Sequence, residues 1–209
     1  MRKFGYLALF AGMIGLLLTS RVAAQEAPRV EVFGGAAYAN ASLVSGRSSL
    51  GGWDAAADFN FTRALGVTAD FSGLYGGSTT STLPIGVCPT PPCAPGTISF
   101  DGHMHTFLAG PRYAYRMEKV TLFGHVLLGG GRLAGTTVFT NVALPPGVPA
   151  RFSSAESGFA LAIGGGMDYA LTPRLAFRTQ ADYLQTHFSS STQHDVRVSA
   201  GIVFRFGRT

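Results

Sequence analysis

Along residues 53–61 the odd positions carry Trp53, Ala55, Ala57, Phe59 and Phe61, and the even ones Asp54, Ala56, Asp58 and Asn60. Consecutive side chains therefore fall on two faces of opposite character, which is the period of a β-strand. The same alternation predicts eight strands along the chain. The first, residues 29–38, sets Val30, Val32, Gly34, Ala36 and Tyr38 against Glu31; the second and third, residues 50–61 and 65–75, meet at Thr62-Arg63-Ala64. In the third, Leu65, Val67, Ala69, Phe71 and Tyr75 oppose Thr68, Asp70 and Ser72. The fourth, about 100–115, has apolar residues on both faces, and its phase is set by grouping Arg112 with the polar positions.

The fifth strand, from Val120 to about Arg132, opposes Val120, Leu122, Val126 and Leu128 to Thr121 and His125. The sixth carries Phe159, Leu161, Ile163, Met167 and Tyr169 against Asp168; the seventh carries Leu175, Phe177, Ala181 and Tyr183 against Arg178, Gln180 and Asp182. The last has the cleanest pattern, with Val196, Val198, Ala200, Ile202, Phe204 and Phe206 against Asp195, Arg197, Ser199 and Arg205. Short turns are expected at 62–64, 116–119 and 171–174, and two long Ser-, Thr-, Gly- and Pro-rich connections at about 76–99 and 133–157. An even number of strands with short turns at one end and long loops at the other is the layout of an outer-membrane barrel.

Which face lies inside follows from the residue types. The polar rows are rich in Asp, Arg, Asn, Ser and Thr and poor in Lys and Glu, a composition suited to pairing in a confined lumen rather than to a wet surface. The opposite rows are nearly free of charge in mid-strand and end in Tyr38, Trp53, Tyr75, Tyr113, Tyr115, Tyr169 and Phe206. Aromatic rings collect at membrane interfaces. An Arg or Lys facing lipid at the midplane costs about 2–4 kcal/mol. Glu31, Asp54, Asp58, Asp70, Arg112, His125, Asp168, Arg178, Asp182, Arg197 and Arg205 are therefore expected to form a charge network inside the barrel. An eight-stranded barrel is just wide enough for side chains to fill, so such a network acts as a plug.

Composition sharpens this picture. Only 13% of residues are charged, against about 25% in soluble domains. Residues 1–24 have the pattern of a cleaved secretory signal: Arg2 and Lys3, an apolar run from Phe4 to Leu18, then Val22-Ala23-Ala24. The barrel domain is expected to span 25–209. Without Arg2, Lys3 and Arg21 the net charge falls from +5 to +2. No basic run is left that would favour nucleic acid.

The signal, GWDAAADFNFTRALGVTADFSG at 52–73, GPRYAYR at 110–116, GGGMDYALTPRLAFRTQADY at 164–183 and the terminal SAGIVFRF resemble small bacterial outer-membrane β-barrel proteins of the OmpA-like transmembrane-domain superfamily. The resemblance covers 28–206 and implies a closed, all-β, eight-stranded antiparallel up-and-down barrel with both termini in the periplasm. It also implies that Phe204 and Phe206 serve as the terminal signal read by the barrel-assembly machinery, although Gly207-Arg208-Thr209 follow here. No peptidoglycan-binding domain is expected after the barrel.

Other candidate chemistry is sparse. Cys88 and Cys93, in CPTPPC, are expected to pair as a disulfide in an oxidising compartment. His103 and His105 share one face of the fourth strand and read as interfacial rings, with a metal pair as the alternative. His125 is expected on the other side of the wall. GGG at 129–131 and 164–166 lies within strand patterns and reads as bends or close packing rather than a phosphate loop. His187 with Ser189, Ser190 and Ser191 sits at the rim where lipid-modifying barrels keep their chemistry, but no spaced motif picks out a nucleophile and base.

The expectation is a non-enzymatic barrel with no cofactor or metal, a structural role in the envelope and long loops for adhesion or recognition. Its partners are outer-membrane lipid, the assembly machinery and an extracellular ligand at the loops. A narrow porin-like diffusion channel is the alternative, and a lipid-modifying enzyme a weaker one.

Overall fold

The computed structural model describes residues 27–43, 46–83, 95–142, 144–188 and 191–207. The expected signal at 1–24, Cys88, Cys93, Ser189 and Ser190 lie outside the described residues. Eight strands follow in chain order: β1 Val30–Leu43, β2 Gly46–Asn60, β3 Leu65–Leu83, β4 Gly96–Arg116, β5 Val120–Thr140, β6 Arg151–Ala170, β7 Leu175–Phe188 and β8 Ser191–Phe206. Each pairs antiparallel with its neighbours, and β1 pairs with β8 from Val30↔Phe206 to Asn40↔Val196, so the sheet closes on itself. Closure leaves no unpaired edge in the wall, which is what a sheet surrounded by hydrocarbon requires.

The short turns share one end with both described chain termini. Two of them are built alike. Thr62 Oγ1 accepts from Leu65 N at 2.9 Å and Thr172 Oγ1 from Leu175 N at 3.0 Å, while Phe61 N and Leu171 N donate to Leu65 O and Leu175 O at 3.0 and 2.9 Å.

At the other end the structure corrects the expected strand limits. Residues 76–83, 96–99, 133–140 and 151–157 belong to strands, which shrinks the two long connections to 84–95 and 141–150. The pairing reaches Leu83↔Gly96 and Val138↔Arg151. These stretches are rich in Ser, Thr and Gly, and their few apolar residues, such as Leu133, Val138 and Phe139, do not alternate cleanly, so binary alternation does not mark them. β3–β6 thus rise past β1, β2, β7 and β8 as a wing. A register shift between Gly76 and Thr79, with Gly76 at φ 124°, marks where β3 leaves the barrel; that backbone favours glycine.

The alternation sorts as the sequence predicts. Outward side chains include Val67, Phe71, Val126, Ile163, Phe177 and Ile202, all exposed, whereas Asp70, Arg178 and Arg197 are 1%, 1% and 0% exposed. The Arg112 phasing of β4 places Met104, Thr106, Leu108, Arg112 and Ala114 inward.

Candidate functional site

The lumen is stacked in layers. Nearest the turn end, Glu31 on β1 receives Arg112 Nη1 at 2.8 Å, Arg116 Nη2 at 3.1 Å and Arg205 Nε at 3.0 Å, with Asn60 Nδ2 at 3.2 Å. Asp58 is the register partner of Glu31, so two carboxylates stand side by side. Arg112 Nη1 bridges them, 3.2 Å from Asp58 Oδ2, and Arg178 Nη1 approaches the same oxygen at 2.9 Å. Asp58 Oδ1 accepts from Thr68 Oγ1 at 2.6 Å. Arg178 also forks onto Asp168, Nε to Oδ1 at 2.6 Å and Nη2 to Oδ2 at 3.0 Å, the planar two-point geometry that makes Arg–carboxylate pairs strong. Arg112 and Arg178 both lie over the Phe123 ring, their guanidinium carbons 4.4 and 4.6 Å from its centroid.

The second layer centres on Arg197. Its Nη1 and Nη2 reach across to Asp70 at 2.8 and 3.1 Å, and Nη2 also meets Asp182 Oδ2 at 2.8 Å. Asp54 Oδ1 is 3.7 Å from Nη1, and Asp54 Oδ2 accepts from Gln180 at 3.0 Å and Ser199 at 2.6 Å. His125 Nε2 lies 2.7 Å from Asp182 Oδ1. That contact spans β6, whose Gly164 is the register partner of both His125 and Asp182. A Cβ on Gly164 would overlap Asp182 Oδ1 and also the Ala181 carbonyl oxygen and Asp182 Cα of the neighbouring strand. The glycine run at 164–166 thus includes the gap through which β5 and β7 bond. Gly164→Ala is expected to lose the His125–Asp182 bond, at about 1–3 kcal/mol, and to push β7 away from β6 besides, read as a lower urea midpoint of the reconstituted barrel.

Toward the loop end the lumen also holds an apolar cluster of Leu50, Leu74, Met104, Leu108, Leu127 and Leu184 with Ala37, Ala39, Ala160 and Ala162, each at most 5% exposed, set among the buried polar Ser72, Thr106, Thr186 and Asp195. Sequence reasoning missed this cluster because inward leucines break the binary pattern. It also missed Arg116, read as part of a turn, and the lumen-facing Phe33 and Phe123. The long polar side chain of Arg116, one residue beyond the Tyr113–Tyr115 alternation, was the available signal.

The structure brings together all eleven residues expected in the lumen. Phe204 and Phe206 stand on the outer wall, 51% and 54% exposed. His103 and His105 face outward, away from His125. Among the described residues no group of three or more His, Cys, Asp or Glu is placed to hold a metal. At the rim, His187 Nδ1 is 2.6 Å from Thr192 Oγ1.

The family model described as the outer membrane protein beta-barrel domain matches residues 8–206. A comparison with curated proteins finds no match. Among solved structures, Ail, the attachment invasion locus protein of Yersinia pestis, is 19% identical with a TM-score of 0.53, over 85% of this chain and 99% of that one. Neisserial surface protein A is 16% identical with a TM-score of 0.54, over 85% and 97%. At these identities the two structures speak for the fold. With a closed eight-stranded barrel, an apolar outer wall and an ionised lumen already in place, the match over nearly the whole length assigns the chain to the family of outer-membrane β-barrel proteins.

Proposed function

We propose that this protein is a structural, non-enzymatic barrel of the outer membrane that holds up a recognition or adhesion surface. The turn end and both termini face the periplasm, and the β3–β6 wing stands outside the cell. The observation that carries the reading is the contrast between a filled lumen and a tall wing. Two ion-pair layers and an apolar cluster occupy the axis, whereas four strands continue past the barrel rim. Ail of Yersinia pestis has been solved in complex with the heparin analogue sucrose octasulfate. That precedent is in keeping with a ligand for this chain too. The outward Phe204 and Phe206 suit docking of β8 to the assembly machinery during insertion.

A channel needs a continuous wet path. The buried side chains of Leu50, Leu74, Met104, Leu108, Leu127 and Leu184 crowd the lumen, and apolar crowding of a narrow lumen disfavours water and ions. Purified protein in planar bilayers is therefore expected to give no stable unitary currents; reproducible single-channel steps would select the channel reading instead. For adhesion, cells displaying the full barrel are compared with cells displaying a form lacking 136–153, the upper β5–β6 ribbon. Binding to glycan-coated surfaces should fall at least several-fold while gel mobility stays heat-modifiable. Equal binding by both forms would contradict an adhesive wing.

A further inference from the structure

Histidine gathers at one level of the outer wall. His103 and His105 on β4, His187 on β7 and His194 on β8 all point outward toward the loop end, and only His125 lies in the lumen. On β4 the outward face runs from Tyr115 through Tyr113 and Phe107 to His105, His103 and Asp101. Ten residues at about 3.3 Å each and about 40° of tilt raise His105 about 25 Å above Tyr115, the height of the apolar band of such barrels. His103 and Asp101 therefore stand above that band, where water reaches them along a groove of about 730 Å3 that they line with Tyr75, Ser99, Thr136 and Arg151.

The two imidazoles of β4 are close enough to share one ion. Alternate residues of a strand stand about 6.6 Å apart on one face, yet the ring centroids of His103 and His105 are 5.6 Å apart, with their planes at 77°. Two imidazoles on one ion, with metal–nitrogen bonds of about 2.0–2.1 Å in tetrahedral geometry, have centroids roughly 5 Å apart. Side-chain rotation at exposed positions covers the difference. Tyr75 orients the pair: its Oη is 3.1 Å from His105 Nε2, and its ring stacks on His103 with centroids 6.2 Å apart. In the tautomer that donates Nε2–H to Tyr75, His105 keeps its free lone pair on Nδ1. A ligating imidazole ordinarily gives its other N–H to such a partner, which fixes the ring and raises its basicity.

Imidazole suits zinc, nickel and copper, and of these divalent ions copper is bound most tightly by a given donor set. We propose that His103 and His105 hold a divalent transition-metal ion, copper(II) in preference to zinc. Among the described residues no third His, Cys, Asp or Glu joins them, and water fills the remaining positions. With two protein ligands the ion stays exchangeable, so the site captures metal from the medium and adds little to the stability of the fold. Nearby charges act in opposite directions. Asp101, next along the same face, attracts the ion, and Arg132, the register partner of His105, repels it. The site stands independently of the recognition role proposed for the wing.

Untagged protein in detergent micelles is titrated with Cu2+ and with Zn2+ in a non-coordinating buffer. The parent should bind one Cu2+ tightly, and its frozen-solution EPR spectrum should show hyperfine splitting from two imidazole nitrogens, a signature that needs no variant to fold. His103→Gln and His105→Gln should each reduce that pattern to one nitrogen and weaken Cu2+ binding at least tenfold, with heat-modifiable gel mobility unchanged. Arg132→Gln should tighten binding and Asp101→Asn should weaken it, while His187→Gln/His194→Gln should bind as the parent does. A parent spectrum without two coupled nitrogens, or undiminished binding by either β4 histidine variant, would overturn the site. Loss of the bound ion on replacing His187 and His194 would overturn it too, and tighter binding of Zn2+ than of Cu2+ would overturn the assignment to copper.

Discussion

Arg197→Met is expected to destabilise the folded barrel by about 3–5 kcal/mol, the cost of removing one partner from a buried ion pair. Arg197 is 0% exposed and within 2.8 Å of Asp70 and 2.8 Å of Asp182, with Asp54 at 3.7 Å. Its loss leaves three carboxylates converging on an uncharged side chain, with His125, among the described residues, the sole positively ionisable side chain in contact with any of them. Met matches the volume of the stem, so the penalty reports charge rather than a cavity. The layer below makes a useful contrast. There Arg112, Arg116, Arg178 and Arg205 surround Glu31, Asp58 and Asp168, so loss of Arg205, the more exposed member at 12%, leaves cations in place and should cost less. Reversible urea unfolding in lipid vesicles, followed by gel mobility, measures both. Adding Asp70→Leu to Arg197→Met should restore part of the loss, because it removes one stranded charge while Asp54 and Asp182 stay.

Val126→Arg is expected to cost about 2–4 kcal/mol, and Val120→Arg only about 0–1, because the penalty for a lipid-facing charge depends on depth. Val126 sits six residues from Val120 and six from Arg132 on the outward face of β5, which puts it near the middle of the apolar band. A steep difference between two substitutions of the same chemistry on one strand isolates the bilayer from local packing. Equal costs at both depths would argue that the outer wall of β5 does not face hydrocarbon.

What the chain reveals before folding follows from the range over which each feature is encoded. Sidedness is local: Asp70 between Ala69 and Phe71, or Arg178 between Phe177 and Thr179, is legible at once because successive strand residues point to opposite faces. Pairing is not local. Arg197 meets Asp70 127 residues away and Glu31 meets Arg205 174 residues away, and which charges meet depends on the accumulated register around the closed sheet. Gly164 illustrates the same limit, since its role as a gap between His125 and Asp182 exists only once β5, β6 and β7 are aligned. The apolar cluster was illegible because Leu74 and Leu127 face inward yet look like wall residues. The wing was illegible for the opposite reason: stretches such as Arg151–Gly158 pair through their backbones with hardly any apolar residue to signal it.

Trp53, the single tryptophan, tests the assignment of faces most directly. It stands outward on β2, 36% exposed and edge-on to Phe71 at 5.1 Å, one residue from the buried Asp54. In protein reconstituted into vesicles, brominated acyl chains should quench its fluorescence strongly and aqueous iodide weakly, with the same result for Leu128→Trp in a Trp53→Phe background. Strong iodide quenching with no effect of bromolipid at either position would contradict an apolar wall against lipid and an ionised core along the axis.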